Sequence, residues 1–456
     1  MSTKSKYDLG VGVKKPVRTI SGVTPLTVVL APRKCAHGTC IYCPGGDFVP
    51  QSYTDKSPAI MRAMKLAYDP HEQVLARMRV LEKMNHPTDK IEIIVLGGTF
   101  LQYPQEYKYN FIKKCFDALN GKDSKDLAEA KLINESASHR CVALCIENRP
   151  DNCSEEEIKE MLEFGCTRVE IGVQMPDDEL YRKTNRGHKV SDVVEASKRL
   201  KEAGFKLGYH VMPGLPGSNM EKDLELFKSI FEDPRFRPDQ LKLYPCQVVD
   251  DSPLGKIHNK IGFKPYSDSE TREVLTKMME MIPDYCRVMR VMREFPKEKL
   301  IEGLKRLDLR KDIEDNFRNK GLKIKEIRMR EIGFNRENLD LDVKIKSIEY
   351  DSSEGKEFFL EFVNKEDILF GLLRLRLSEG GAMVRELHVY GQALNLGKGG
   401  EESQHRGLGK LLMKKAEEIT KEKGFNKLRV ISGVGVREYY RKLGYELEGA
   451  YMVKEL

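Results

Sequence analysis

The sequence predicts an α/β partial barrel of six βα units, a partial (βα)6 TIM-type barrel, followed by a separate α+β domain. Two patterns carry this reading. From Leu26 to about Tyr266, short β-branched runs alternate with helical stretches, as parallel βα units require. From about Ile345 the pattern changes to long strands, then a glycine-bearing turn and a helix. A chain of 456 residues exceeds what one hydrophobic core organises, so several domains are expected. We place a basic arm at 1–24, the barrel at 25–267, a basic bridging segment at 268–333 and the C-terminal domain at 334–456.

The expected barrel strands are Leu26–Leu30, Ile91–Leu96, Cys141–Ile146, Arg168–Gly172, Lys206–Met212 and Gln240–Tyr244. Between them the periodicity predicts helices over Met61–Met84, Tyr107–Leu119, Glu155–Phe164, Val190–Ala203 and Met220–Phe231. Chemistry in such barrels gathers at the C-terminal ends of the strands. The polar and glycine-bearing motifs fall there: Cys35–Gly46 after the first strand, Gly97-Gly98-Thr99-Phe100 after the second, Glu147–Asp151 after the third, Gly172-Val173-Gln174 after the fourth and Pro213–Gly217 after the fifth. Gly97 and Gly98 would let main-chain groups approach a ligand without a Cβ in the way, or simply make a tight turn. Gln174 and His210 point from strand ends toward the same space. A histidine satisfied within the core is the alternative for His210.

Cys35, Cys40 and Cys43 stand with four and then two residues between them. Soft, anionic thiolates so spaced can converge on three irons of a cubane cluster, leaving the fourth iron open to a chelating substrate. A closed Cys3His zinc site including His37 is the competing reading. The spacing resembles that of the radical S-adenosylmethionine (SAM) superfamily, which implies a [4Fe-4S] cluster on Cys35, Cys40 and Cys43, with SAM near Tyr42, Gly97, Gly98, Gln174 and His210.

Hydrophobic content of 40% and charged content of 33% describe an ordinary globular chain. No apolar run approaches the ~18 residues needed to span a bilayer, and no basic-then-apolar leader opens the chain, so neither membrane nor export is expected. Ten cysteines in a chain this long are no disulfide framework, and a reducing, cytoplasmic compartment is expected. The net charge of +7 is unevenly placed. Residues 1–34 hold seven Lys or Arg against one Asp, and residues 287–330 hold fifteen Lys or Arg against eight Asp or Glu. Such stretches either meet nucleic acid or form solvated faces.

In the C-terminal domain, strands are expected over Lys346–Tyr350, Phe358–Val363, Ile368–Leu377 and Met383–Tyr390. The turn Gln404-His405-Arg406-Gly407-Leu408-Gly409-Lys410 then opens a helix to about Glu422. Amides at a helix N-terminus cradle anions, so this turn suits a pyrophosphate. A strand over Lys427–Ile431 and the segment Tyr439-Tyr440-Arg441-Lys442-Leu443-Gly444-Tyr445 follow. The spacing Gln-x-x-Gly-x-Gly in this context resembles the acetyl-coenzyme A (acetyl-CoA) loop of the GNAT acetyltransferases. By that resemblance the hydroxyl of Tyr440 lies near the thioester sulfur as a proton donor; a core aromatic is the alternative.

Joined in one chain, the two modules are similar to the catalytic subunit family of Elongator in its stand-alone, tRNA-modifying form. The resemblance runs from Pro25 to Leu456 through Cys40–Gly46, Gln51–Thr54, Asp89–Glu92, Gly97–Phe100, Glu147–Asp151, Arg385–Gly391, the Gln404 turn and Ser432–Gly435. It implies a carboxymethyl group built on C5 of wobble uridine 34 in the tRNA anticodon stem-loop, by radical addition of the acetyl methyl carbon and thioester hydrolysis. It implies acetyl-CoA contacts from Lys90, from Glu386, Leu387, His388 and Val389 as an open strand edge, and from Gln404, Gly407, Leu408, Gly409, Lys410 and Tyr440. A stand-alone enzyme or homodimer is expected. Relatives carry a longer basic N-terminal region and cysteines near Ile324 and Met329 that bind zinc; with neither residue a ligand, no interdomain zinc is expected. The competing function is a protein lysine acetyltransferase with a structural cluster, for which Glu386 would be the base.

Overall fold

The computed structural model describes residues 19–293, 295–304, 308–335, 339–390 and 407–456. Strands β1 (Thr24–Val29), β2 (Lys90–Leu96), β3 (Arg140–Asn148), β4 (Arg168–Gln174), β5 (Lys206–Val211), β6 (Gln240–Leu243) and β7 (Arg287–Val291) form one sheet in chain order. Every neighbouring pair is parallel, and helices cover the outside, so this is an open barrel.

Two expectations are corrected here. The barrel has a seventh strand, β7, inside the stretch read as a basic bridging segment. Its two arginines, Arg287 and Arg290, sit among Val288, Met289 and Val291 within a strongly basic stretch, so it reads as a charged segment until it pairs with β6. The boundary at 267 therefore does not end the sheet. The helix expected over Met61–Met84 is two helices, Pro58–Lys65 and Pro70–Lys83. Ala67 and Tyr68 take positive φ of 48° and 58° between them, and the Asp69 carboxylate accepts from Glu72 N at 3.0 Å to cap the second.

The second sheet runs β8 (Lys344–Ser352), β9 (Gly355–Val363), β10 (Leu369–Ser378), β11 (Gly381–Val389), β12 (Lys427–Ile431), β14 (Tyr451–Glu455) and β13 (Glu446–Glu448). The first four form an antiparallel meander. β12 is parallel to β11 but pairs only with Ala382, Met383 and Val384. Beyond Val384 the two strands splay, freeing the β12-facing edge of β11. The helix Leu408–Glu422 crosses between them.

Charged side chains fasten this sheet to the barrel. Arg385 and Asp239, both fully buried, pair at 2.7 Å; Lys206 reaches Glu386 at 2.8 Å; and Arg437 reaches Glu135 at 2.9 Å. Gly433 lets the loop after β12 touch the backbone of β3, since a Cβ there would lie 1.9 Å from the Val142 carbonyl oxygen. Gly433→Ala is therefore expected to cost about 1–3 kcal/mol in urea unfolding, with no rescue from trimming Val142, because the obstacle is main chain.

Candidate functional site

Two cavities lie at opposite ends of the barrel. The upper one, at the C-terminal strand ends, is lined by Cys35, Cys40, Tyr42, Cys43, Gly98, Gln174 and His210 among others. The predicted cluster and SAM residues other than Gly97 therefore lie around one cavity. Gly97 is not part of that lining. At φ 137° its missing Cβ would lie 2.8 Å from Leu30 Cβ, so it serves the packing of β2 on β1.

The cysteine loop is held by its neighbours. Gly45 permits its turn, where a Cβ would meet two backbone oxygens at 2.6 Å. Arg186 donates to Cys40 Sγ at 3.4 Å and Gln51 to Cys43 Sγ at 3.4 Å, while Cys35 Sγ lies 3.7 Å from Thr99 Oγ1. Burial pushes the Cys40 thiol up, but Arg186 and His37 outweigh it and bring it to about 6. Burial, then the charge on Cys40, push Cys43 up to about 12. Three thiolates here require a cation among them, as a cluster supplies. His37 Nε2 lies 3.4 Å from Cys40 Sγ and 3.1 Å from Arg149 Nη1, which ties the loop to the end of the third strand.

The donor set also fits SAM. Among the described residues, Tyr42 OH, Gln51 Oε1, Asn148 Oδ1 and Gln174 Oε1 are buried without a partner. They can accept from the ammonium, amine and hydroxyl groups that SAM carries. Gln174 sits at φ 63°, strain of the kind concentrated at functional sites.

Arg186 and Arg149 were missed by the sequence reading as site residues, since a lone arginine in a loop carries no spacing signal. Arg186 also donates through Nε at 3.2 Å to His188 Nε2, which must then be the unprotonated nitrogen. Burial, then Arg186 and Arg149, hold His188 down at about 3. Because the folded value lies below the ordinary 6.5, the unfolded chain takes up the proton first. The stability from His188 is full above about pH 6.5 and is lost as pH falls toward 3. His188→Gln should flatten the fall in thermal midpoint between pH 7 and pH 5, which scanning calorimetry would show.

The lower cavity, between the barrel's N-terminal strand ends and the second sheet, is lined by Lys90, Glu386, Leu387, His388, Val389, Gly407, Leu408, Gly409, Lys410 and Tyr440. These include the splayed edge of β11 and the N-terminus of the helix Leu408–Glu422. Gln404 lies outside the described residues. Gly409 leaves room for Tyr439, whose hydroxyl would lie 2.8 Å from a Cβ there. Burial holds the Tyr440 hydroxyl above its ordinary value, so it stays a donor. Burial opposes charge on Glu386, yet Lys206 at 2.8 Å and Arg374 at 2.8 Å bring its carboxyl to about 2. A carboxylate so held is a poor general base.

Comparison with known proteins agrees with both halves. Family profiles for the Radical SAM superfamily, the Radical_SAM C-terminal domain and the Acetyltransferase (GNAT) family match residues 29–230, 238–318 and 323–445. These domains bring a [4Fe-4S] cluster, SAM and acetyl-CoA as cofactors. The chain is 46% identical to the tRNA uridine(34) acetyltransferase of Methanocaldococcus infernus, over 97% of this chain and 87% of that one. It is 40% identical to Elongator complex protein 3 of Homo sapiens, over 97% of this chain and 86% of that one. A solved structure of the archaeal Methanocaldococcus infernus Elp3 with its N-terminus deleted superposes with a TM-score of 0.85 at 42% identity, covering 96% of this chain and 100% of that one. The protein belongs to the Elongator complex protein 3 family of radical SAM and GNAT acetyltransferase enzymes.

Proposed function

We propose that the protein builds a 5-carboxymethyl group on the wobble uridine of cytoplasmic tRNA, drawing two carbons from acetyl-CoA. The observation that carries this is the placing of a cluster cavity and a thioester cavity at the two ends of one barrel. In polar chemistry the enolised acetyl methyl and C5 of uracil are both nucleophilic carbons and do not join, so joining them calls for a radical on the methyl carbon, with C5 then losing its hydrogen as a proton and one electron. Cys35, Cys40 and Cys43 would hold the cluster, which when bound supplies the electron that cleaves SAM into a hydrogen-abstracting radical.

The chain's own groups would do the rest. Arg186 and Gln51 donate to the sulfurs. The free edge of β11 would extend the pantetheine arm as an added strand, and the amides of Gly407–Lys410 would take the pyrophosphate. Lys90 would contact acetyl-CoA at the barrel's lower rim, and Tyr440 would protonate the leaving thiolate. Uridine 34 lies in a single-stranded loop and can be splayed into the upper cavity. For the lysine acetyltransferase alternative Glu386 would have to accept a proton, against the two cations that hold it charged.

The test is mass spectrometry of nucleosides from a wobble-uridine tRNA incubated anaerobically with reconstituted protein, reductant, SAM and acetyl-CoA. We expect 5-carboxymethyluridine, lost on omitting either SAM or acetyl-CoA. Product formed without SAM would contradict the proposal.

A further inference from the structure

The barrel lumen carries charged side chains where packed, branched apolar ones are the rule. They form one connected column. At its lower end Arg168 reaches Glu92 at 3.2 Å, Gln240 at 3.0 Å and Glu170 at 3.5 Å. Glu170 pairs with His210 at 2.9 Å and contacts Lys242, which reaches Glu147 at 3.1 Å. Arg168, Glu170 and Lys242 come from alternate positions on β4 and β6, so closing the barrel turns them all inward.

The column maps onto the two chambers. Glu92, Arg168 and Gln240 line the lower one, which also reaches Ile94 and Met289 partway up β2 and β7. Glu147 and His210 line the upper one. Glu170 and Lys242 line neither, and so are the layer between them. Gly208 makes room for this layer, since a Cβ there would lie 3.0 Å from Glu170 Cγ. Glu147, Glu170 and His210 bring ligand atoms within 4.8 Å of one another, as a cation site would, and the Lys242 ammonium supplies the cation. Burial opposes both charges, but Lys242 holds Glu170 well below its ordinary value and Glu170 holds Lys242 well above its own. Two buried ions cost several kcal/mol each to desolvate, so apolar filler would have served a merely structural wall as well or better.

Resting on the reaction proposed above, we infer that the acetyl end of acetyl-CoA enters the barrel from below and ends on the Glu170–Lys242 layer. Lys242 is then a positioning residue for the thioester, the layer limits the acyl group to acetyl, and the route to the upper chamber runs past these two side chains.

Calorimetric titration of cluster-free protein tests this without the reaction. Wild type should bind acetyl-CoA at least about tenfold more tightly than hexanoyl-CoA. Lys242→Ala with Glu170→Ala takes away the bulk of the layer and one charge of each sign, with Arg168 keeping Glu92 and Glu147 keeping the Tyr53 hydroxyl, and should erase that preference while affinity for free coenzyme A stays within about twofold. An unchanged preference in that variant, with free coenzyme A still binding, overturns the inference. Ile94→Phe leaves the pair intact and narrows the approach; it should weaken acetyl-CoA about tenfold relative to free coenzyme A. Equal affinities there would also overturn it. In the loaded enzyme Ile94→Phe should lose 5-carboxymethyluridine while still cleaving SAM. A wild type that shows the acyl preference but never modifies uridine would support the lumen chamber and sink only the assigned reaction.

Discussion

Asp239→Ala is expected to lower stability by about 3–5 kcal/mol in urea unfolding, the effect of removing one partner from a buried ion pair. Asp239 stands just before β6 and is fully buried. Its carboxylate meets Arg385 at 2.7 and 2.9 Å and Arg374 at 3.4 Å, both from the second sheet, and accepts from Leu207 N at 2.8 Å. Burial opposes its charge, but Arg385 and Arg374 outweigh this and hold its carboxyl well below the usual range. Alanine would leave two guanidinium groups and one amide short of a partner at the junction of the two sheets. Asp239→Asn keeps an acceptor for Leu207 N and should fall between wild type and Asp239→Ala. Equal stability in all three proteins would show that the junction does not depend on this carboxylate.

Cys40→Ser is expected to abolish both the iron content of the reconstituted protein and SAM cleavage. The hydroxyl is a hard, neutral ligand where the cavity offers a thiolate stabilised by Arg186 and His37. Cys115→Ser is the control. Cys115 is buried in the core against neighbours that include Phe111 and Leu119, and burial holds its thiol well above the ordinary value. That variant should keep its iron and its 5′-deoxyadenosine yield, measured by iron assay and chromatography. Loss of iron in both variants would mean that the core, not the loop, had been damaged.

Much of the site was legible because it is local in sequence. The three cysteines share one loop, and the turn at Gly407 opens a helix, so spacing alone brought their chemistry together. The strand edge at Glu386–Val389 was legible by resemblance, and its cause became visible only when β12 was seen to pair with no residue beyond Val384. What sequence could not give is chemistry assembled by closure. Glu92, Arg168, Glu170 and Lys242 sit at alternate positions of separate strands and read as solvent-facing until the sheet curls round them. Arg287 disguised β7 in the same way, a charge at a strand start that faces the lower cavity rather than water. Gly97 shows a second demand that sequence did not reveal, the close approach of Leu30.

The most direct test of the joint use of both cavities is the reaction with trideuteromethyl acetyl-CoA and tRNA, followed by mass spectrometry of 5′-deoxyadenosine and of the modified uridine. The account predicts one deuterium in the 5′-deoxyadenosine and two in the carboxymethyl group of the base, both absent with Cys40→Ser. Unlabelled 5′-deoxyadenosine beside a base that retains no deuterium would contradict it, because the hydrogen would not have come from the acetyl methyl.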